Sequence, residues 1–229
     1  ARYDLGMLYF APQTWASDDT DGYERQQIQY GTSYGYPLSS IGAHVSAVPN
    51  HQTGRIVPLS TRANVAYFGT FGYELDLNQL TCEEIEKVKE QVRFMKDHRQ
   101  LIHHGDLYRL ISPFEGNDMG WIVVSKDQSS ALAAFYQCLN RSNQGWLRFR
   151  LAGLDPNRKY RVKTHCGVDP RYCVGIIPGL KELLASLAHE EEYYGDELMY
   201  TGLVINRFLF VIQGCDFTSL LFEIEAVLG

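Results

Sequence analysis

Near residue 105 the hydrophobic pattern of the chain changes its period, and no single layer of secondary structure can satisfy both halves. Up to that point, short apolar runs alternate with stretches of helical spacing. Beyond it, short segments rich in β-branched and aromatic residues are separated by turn-forming clusters such as Asp155-Pro156-Asn157. With 229 residues, 45% of them hydrophobic and 13% aromatic, the chain has enough apolar material for one or two buried cores. The expected fold is therefore α/β followed by all-β, with residues 1–105 as one domain and 106–229 as another.

In the first half, Gly6 to Ala11 is fully apolar, as a parallel strand buried on both faces would be. It leads into Thr14-Trp-Ala-Ser-Asp-Asp-Thr-Asp21, an acidic loop. Asp21 with Glu24 has the form of a capping box, so a helix is expected from there to Tyr30-Gly31. Ile41 to Val48 reads as a second strand, Ser60 to Phe68 as a helix, and Phe71 to Leu77 as a third strand. Thr81 with Glu84 is another capping box, and Ile85, Val88, Val92 and Met95 share one face of the helix it opens.

The second half reads as an antiparallel β-sandwich. Trp146 to Leu151 alternates with the period of a sheet that has one wet face. Trp121 and Trp146 are expected in the core. The exception to the strand pattern is Pro178 to about Glu192, where Leu180, Leu183, Leu184 and Leu187 fit an inserted helix.

The net charge of −6 argues against nucleic acid as a partner, since phosphates select basic faces. No apolar stretch approaches the roughly 18 residues that span a bilayer, so no membrane partner is expected. Five cysteines without tight pairing read as reduced thiols, with Cys166 and Cys173 the pair best placed for a disulfide.

Asp18, Asp19 and Asp21 follow a strand and precede a helix. In a β/α barrel that is the C-terminal face, where catalytic groups gather. Asp21 is read as a helix cap, which leaves Asp18 unexplained. The acidic loop lacks the regular oxygen spacing of a calcium or magnesium site, so no metal is expected. Gly31-Thr-Ser-Tyr-Gly35 matches the nucleophile elbow of serine hydrolases, but Ser33 follows a polar helical stretch instead of a strand, and a helix stop is the better reading. His44 and His51 are read as hydrogen-bonded loop histidines, and His103 and His104 as partners of a helix C-terminus.

The segments RYDLGMLYF, QTWASDDTD, ERQQIQYGTS, YPLSSIGAHVSAVPNHQTGR and RANVAYFGTFGYELDL, with YGDELMYTGL downstream, resemble the α-galactosidases of glycoside hydrolase family 36. The resemblance is nearly continuous over residues 1–110 and patchier afterwards. It implies the C-terminal third of such an enzyme: the last strands and helices of a catalytic (β/α)8 barrel, then an antiparallel β-sandwich. It implies a retaining mechanism on terminal α-D-galactosides such as melibiose, raffinose and stachyose, without a cofactor. Asp18 becomes the general acid/base, because the family sometimes carries asparagine at the next position, and Asp19 is second choice. Trp15, with Asp18, lines the sugar pocket. The nucleophile, the aspartate of a K-W-D string in this family, is absent from the sequence, as is a galactose-binding C-x-x-G segment. The implied partners are a galactoside, the N-terminal remainder of the same enzyme and further copies of the chain in a homotetramer, with a cytoplasmic location. The chain alone is expected to be inactive. Two other readings stand beside this one: a non-catalytic carbohydrate-binding or interaction module centred on the sandwich, and a serine hydrolase using Ser33.

Overall fold

The computed structural model describes residues 4–166, 190–207 and 216–227, in two compact units, Ala1–His104 and Gly105–Gly229. The expected helix through Leu180, Leu183, Leu184 and Leu187, Cys173 of the candidate pair Cys166 and Cys173, and the apolar segment after Arg207 lie outside the described residues.

The first unit is a succession of β–α–β connections. Thr14 forms a parallel bridge with Ile41, fixed by Gly42 N–H to Thr14 O at 2.9 Å and Thr14 N–H to Ser40 O at 2.8 Å. Helix α1 (Glu24–Thr32) connects that segment to strand β1 (Gly42–Ser46). Helix α2 (Leu59–Ala66) then leads to β2 (Thr70–Glu74), which pairs with β1 in parallel, Gly42 opposite Thr70 through Ser46 opposite Glu74. Ala43 and Val45 on one face of β1 are fully buried, as are Ala63 and Ala66 of α2. Helix α3 (Cys82–His104) closes the unit. Its capping box is reciprocal: Thr81 N–H donates to Glu84 Oε2 at 2.9 Å and Glu84 N–H to Thr81 Oγ1 at 3.3 Å. Val88 and Met95 carry its buried face.

The run Gly6–Ala11 is not a strand. Leu5–Tyr9 is a 3-10 turn capped by Asp4, whose carboxylate accepts from Gly6 N–H at 2.8 Å, and Tyr9 and Phe10 are exposed. A doubly buried strand needs neighbours on both edges and cover on both faces, and no strand pairs with this segment among the described residues.

Among the described residues, every strand pair of the second unit is antiparallel. Strands β3 (Asp106–Ile111), β4 (Asp118–Val124), β5 (Ser130–Gln137), β7 (Lys159–Cys166), β8 (Glu190–Tyr194) and β10 (Thr218–Ala226) form one sheet, ordered β3-β4-β5-β10-β7-β8. Strands β6 (Trp146–Phe149) and β9 (Leu203–Asn206) form a separate ribbon. Ile122, Phe135, Tyr160 and Phe222 from the sheet pack with Phe149 and Leu203 from the ribbon in one apolar core.

Two expectations are corrected here. Glu190 to Glu192 are strand, not the end of a helix: they pair with β7, and Glu192 sits 2.6 Å from Lys159 Nζ with Arg161 beside it. Opposite charges directly across an antiparallel pair favour the strand. Trp146 is 72% exposed, whereas Trp121 is fully buried. On the ribbon Trp146 and Arg148 alternate with inward Phe149, so Trp146 belongs to the wet face.

Candidate active site

The parallel arrangement of Thr14, β1 and β2 puts three loops on one side of the first unit, beyond the C-terminal ends of the strands. This is where α/β folds collect ligand-binding groups. The acidic loop after Thr14 and the loop 47–58 after β1 meet there.

Asp21 joins them. Its side chain is fully buried, and Oδ1 accepts from Tyr23 N–H (2.8 Å), Glu24 N–H (3.2 Å) and Arg55 Nη1 (2.8 Å), while Oδ2 accepts from Thr53 Oγ1 (2.6 Å). Burial alone would push this carboxyl up; the hydrogen bonds from Thr53, Arg55 and the two backbone amides outweigh it and hold it below the usual value. Arg55 also lies 3.4 Å from Glu24 and stacks over the Tyr23 ring at 4.8 Å. Asp21 thus caps α1 as expected. The other half of the capping box does not form, because Glu24 turns to Arg55 and Asp21 N–H donates to Asp19 Oδ1 at 2.9 Å.

Arg25, fully buried on α1, works at the start of the loop. It donates to Gly42 O on β1, to Ser17 O at 3.3 Å and to Gln29 Oε1 at 3.4 Å, and it lies 5.3 Å from the centre of the Trp15 ring. Trp15 packs on its other side against His44, with ring centres 4.6 Å apart. Glycines make room for both rings: a Cβ at Gly42 would lie 2.9 Å from Trp15 Cε3, and one at Gly72 would lie 2.8 Å from His44 Cδ2. His44 is therefore part of this site and not a loop residue. Burial pushes it below its ordinary value, Glu74 (Oε2 3.8 Å from Nδ1) opposes that, and the Arg25 charge reinforces it. His51 is exposed on the loop beyond β1.

Within the loop, Ser17 Oγ accepts from Asp19 N–H at 3.1 Å, and Ser46 Oγ donates to Thr20 O at 2.6 Å. Asp18 sits between these tethers. It is exposed, and its carboxylate has no hydrogen bond or ion pair among the described residues.

Sequence reasoning missed Arg25, Thr53, Arg55 and the role of His44. Arg25 could have been flagged as a cation in a helix, ERQQIQY, that has no apolar stripe to explain its burial. Ser33 is buried at the C-terminal end of α1 and donates to Tyr30 O at 2.6 Å, the geometry of a helix stop and not of a strand-to-helix elbow. Trp121 is sealed in the core, away from any sugar. Among the described residues no set of three or more His, Cys, Asp or Glu side chains could hold a metal ion, and no helix is long and apolar enough to cross a membrane.

A melibiase family model matches residues 1–105, and a model of the glycosyl hydrolase family 36 C-terminal domain matches residues 118–224. The chain belongs to glycoside hydrolase family 36. Alpha-galactosidase AgaA of Geobacillus stearothermophilus is 45% identical over 226 residues, and alpha-galactosidase Mel36A of Lactobacillus acidophilus is 35% identical over 226. In each case the match covers 99% of this chain and 27% of the relative, so the chain spans about a quarter of the length of these curated relatives. An AgaA variant solved in complex with raffinose superposes with a TM-score of 0.83 at 44% identity, over 99% of this chain and 27% of that one. The alpha-galactosidase of Lactobacillus brevis superposes at 0.82 and 44% identity, covering 100% of this chain and 28% of its own.

Proposed function

We propose that the longer protein to which this chain belongs is a retaining α-galactosidase acting on terminal α-D-galactosides of the melibiose, raffinose and stachyose type. In this reading the first unit supplies the last strands and helices of a (β/α)8 barrel, and the second unit is an antiparallel β-sandwich. Asp18 is the general acid/base, Asp19 the second choice, and Trp15 lines the sugar pocket. The nucleophile is contributed by the rest of the protein, the chain alone is inactive, and the assembled enzyme is a homo-oligomer.

The observation that carries the assignment is the division of labour in the acidic loop. Asp21 is consumed by four hydrogen bonds and Asp19 accepts one from the backbone, whereas Asp18 is exposed and uncommitted at the C-terminal side of the strands. A retaining glycosidase needs one carboxyl to protonate the leaving oxygen as a second, about 5–5.5 Å away, attacks the anomeric carbon. The resulting β-galactosyl ester is then cleaved by water, from which the first group, now a carboxylate, removes a proton. Solved relatives in complex with raffinose and with stachyose support the substrate class.

The test uses the full-length protein as wild type, Asp18→Asn and Asp19→Asn, on raffinose and on p-nitrophenyl α-galactoside, with and without azide. Loss of the acid should lower raffinose turnover by roughly 10²–10⁴-fold. Nitrophenolate leaves with little protonation, so bond cleavage in that substrate should suffer less. Azide needs no base and should restore turnover of the nitrophenyl substrate by Asp18→Asn, giving α-galactosyl azide from the β-linked intermediate. Near-normal raffinose turnover in Asp18→Asn would overturn the assignment, and a loss confined to Asp19→Asn would move it one residue along.

Exposed Trp146 favours a second reading, a sugar-binding surface on the ribbon. A galactoside titration indifferent to Asp18→Asn and abolished by Trp146→Ala would support it.

A further inference from the structure

We propose that Thr53 and Arg55, acting through Asp21, and Arg25, acting through Ser17 and Trp15, are positioning residues that hold Asp18 in the register for proton transfer. The inference rests on Asp18 being the acid/base.

The loop around Asp18 is tied down on both sides of it, at Trp15, Ser17, Asp19, Thr20 and Asp21. At the near end the Arg25 guanidinium spans Ser17 O on the loop and Gly42 O on β1, and covers Trp15. Next, Asp19 N–H is held by Ser17 Oγ and Asp19 Oδ1 by Asp21 N–H. Thr20 is bound through its carbonyl to Ser46 Oγ and through its hydroxyl to Asn50 Nδ2 at 3.3 Å. At the far end Asp21 is locked to Thr53 and Arg55, which lie 32 and 34 residues further along the chain on the loop after β1. Of the polar side chains from Ser17 to Asp21, that of Asp18 alone makes no hydrogen bond or ion pair among the described residues, on a backbone fixed from both sides.

That pattern has a purpose in acid catalysis. The acid must lie within hydrogen-bond reach of the glycosidic oxygen, and a displacement of about 1 Å costs on the order of 10²-fold. A side chain that hydrogen-bonded to its own loop would be well placed but occupied. Fixing the flanking backbone places Asp18 and keeps its carboxyl available for the substrate. Thr53 is half of the far lock, yet it belongs to a loop whose sequence, Pro-Asn-His-Gln-Thr-Gly-Arg, carries no acid of its own. The two loops thus form one unit, and a change in either displaces Asp18.

The test compares Thr53→Val, Thr53→Ser, Arg55→Met and Arg55→Lys with Asp18→Asn in the full-length protein, reading kcat/KM for raffinose and for p-nitrophenyl α-galactoside. A displaced acid should depress the substrate that needs protonation more than the one that does not. Thr53→Val and Arg55→Met are expected to lower kcat/KM on raffinose by roughly tenfold or more, and on the nitrophenyl substrate by less than about threefold. Thr53→Ser, which keeps the hydroxyl, should recover most of the raffinose activity. A merely structural role would lower both substrates in proportion, and that result, or no change on either, would overturn the proposal. Thr53→Val preserves shape and charge, so it keeps the comparison available even where an Arg55 variant folds poorly. Asp18→Asn separates the two levels. If it leaves the ratio of the two substrates unchanged, the acid assignment fails; if it shifts the ratio and the Thr53 and Arg55 variants do not, only the positioning role fails.

Discussion

The two units differ in how much polar material they bury. In the second, the largest sealed side chains are Trp121, Tyr136, Tyr160, Phe135 and Phe149, and the last three belong to the apolar core that sheet and ribbon close between them. The first also seals apolar residues, among them Ile41, Ala43, Val45, Leu59 and Phe68, but adds a large polar set to them. It buries Asp21, Arg25, Gln26, Gln29, Thr61, Arg62 and Asn64, and leaves Leu5, Met7, Tyr9 and Phe10 exposed. Its buried polar groups are satisfied one by one, as burial requires: Gln29 Nε2 donates to Val65 O and Phe68 O, and Arg62 to Val57 O and Ser46 O. Such bonds fix geometry well but add little net stability each. Apolar packing between sheet and ribbon dominates the second unit, whereas the first adds a polar network that ties its acidic loop to the loop after β1.

The broadest way to break that comparison is to separate the units. Residues 105–229 expressed alone should give a β-sheet circular dichroism spectrum and one cooperative thermal transition. Residues 1–104 alone should give neither a sharp transition nor a monomeric species, because a two-stranded sheet with open edges does not support itself in water. A cooperative melt of 1–104 by itself would show that its polar network suffices.

A narrower test uses the two tryptophans of the second unit. Trp121→Ala removes a fully buried indole and should cost ~3–5 kcal/mol in urea unfolding. Trp146→Ala removes an exposed one from the ribbon and should stay within about 0.5 kcal/mol. If the two costs were similar, the ribbon's outer face would be packed against something, and the description of this unit as self-contained would fail.

What could be read from the sequence follows the reach of the interactions involved. Thr81 and Glu84 cap α3 reciprocally, as two partners three residues apart on one turn can. Asp21 and Glu24 have the same spacing, but Arg55, 31 residues from Glu24, captures the glutamate and breaks the box. The strands β1 and β2 and helix α2 stood out because their apolar residues recur with the right period. Helix α1 was legible only through its ends; its buried face is Arg25, Gln26, Gln29 and Tyr30, which no hydrophobic pattern marks. The run Gly6–Ala11 shows the converse, since an apolar stretch without neighbours has no reason to extend. Trp146 was misjudged by residue type although its alternation with Arg148 and Arg150 already put it on the solvent side. The candidate site divides likewise. Its proposed acid, Asp18, lies in a recognisable motif, while Arg25, Thr53 and Arg55 are linked to that loop only through space.

The smallest expected effect tests whether polar burial in the first unit leaves a trace in solution. His44 is stacked on Trp15, and its burial, with Arg25 nearby, holds it below the ordinary 6.5 despite Glu74. A histidine whose folded value is depressed favours the neutral ring in the native state. Its contribution is therefore fully present above about pH 6.5 and is lost as the pH falls through the lower folded value. In the full-length protein, lowering the pH from 7.5 to 5 should reduce the Tm by a component of roughly 1–3 °C that His44→Gln removes. Glu74→Gln should enlarge that component, since it deletes the group that opposes the shift, whereas a change of the opposite sign would mean that the His44–Glu74 ion pair outweighs burial. An unaltered pH profile in both variants would mean that His44 meets enough water to titrate freely. In that case the stack with Trp15 positions the indole without storing any proton-linked stability.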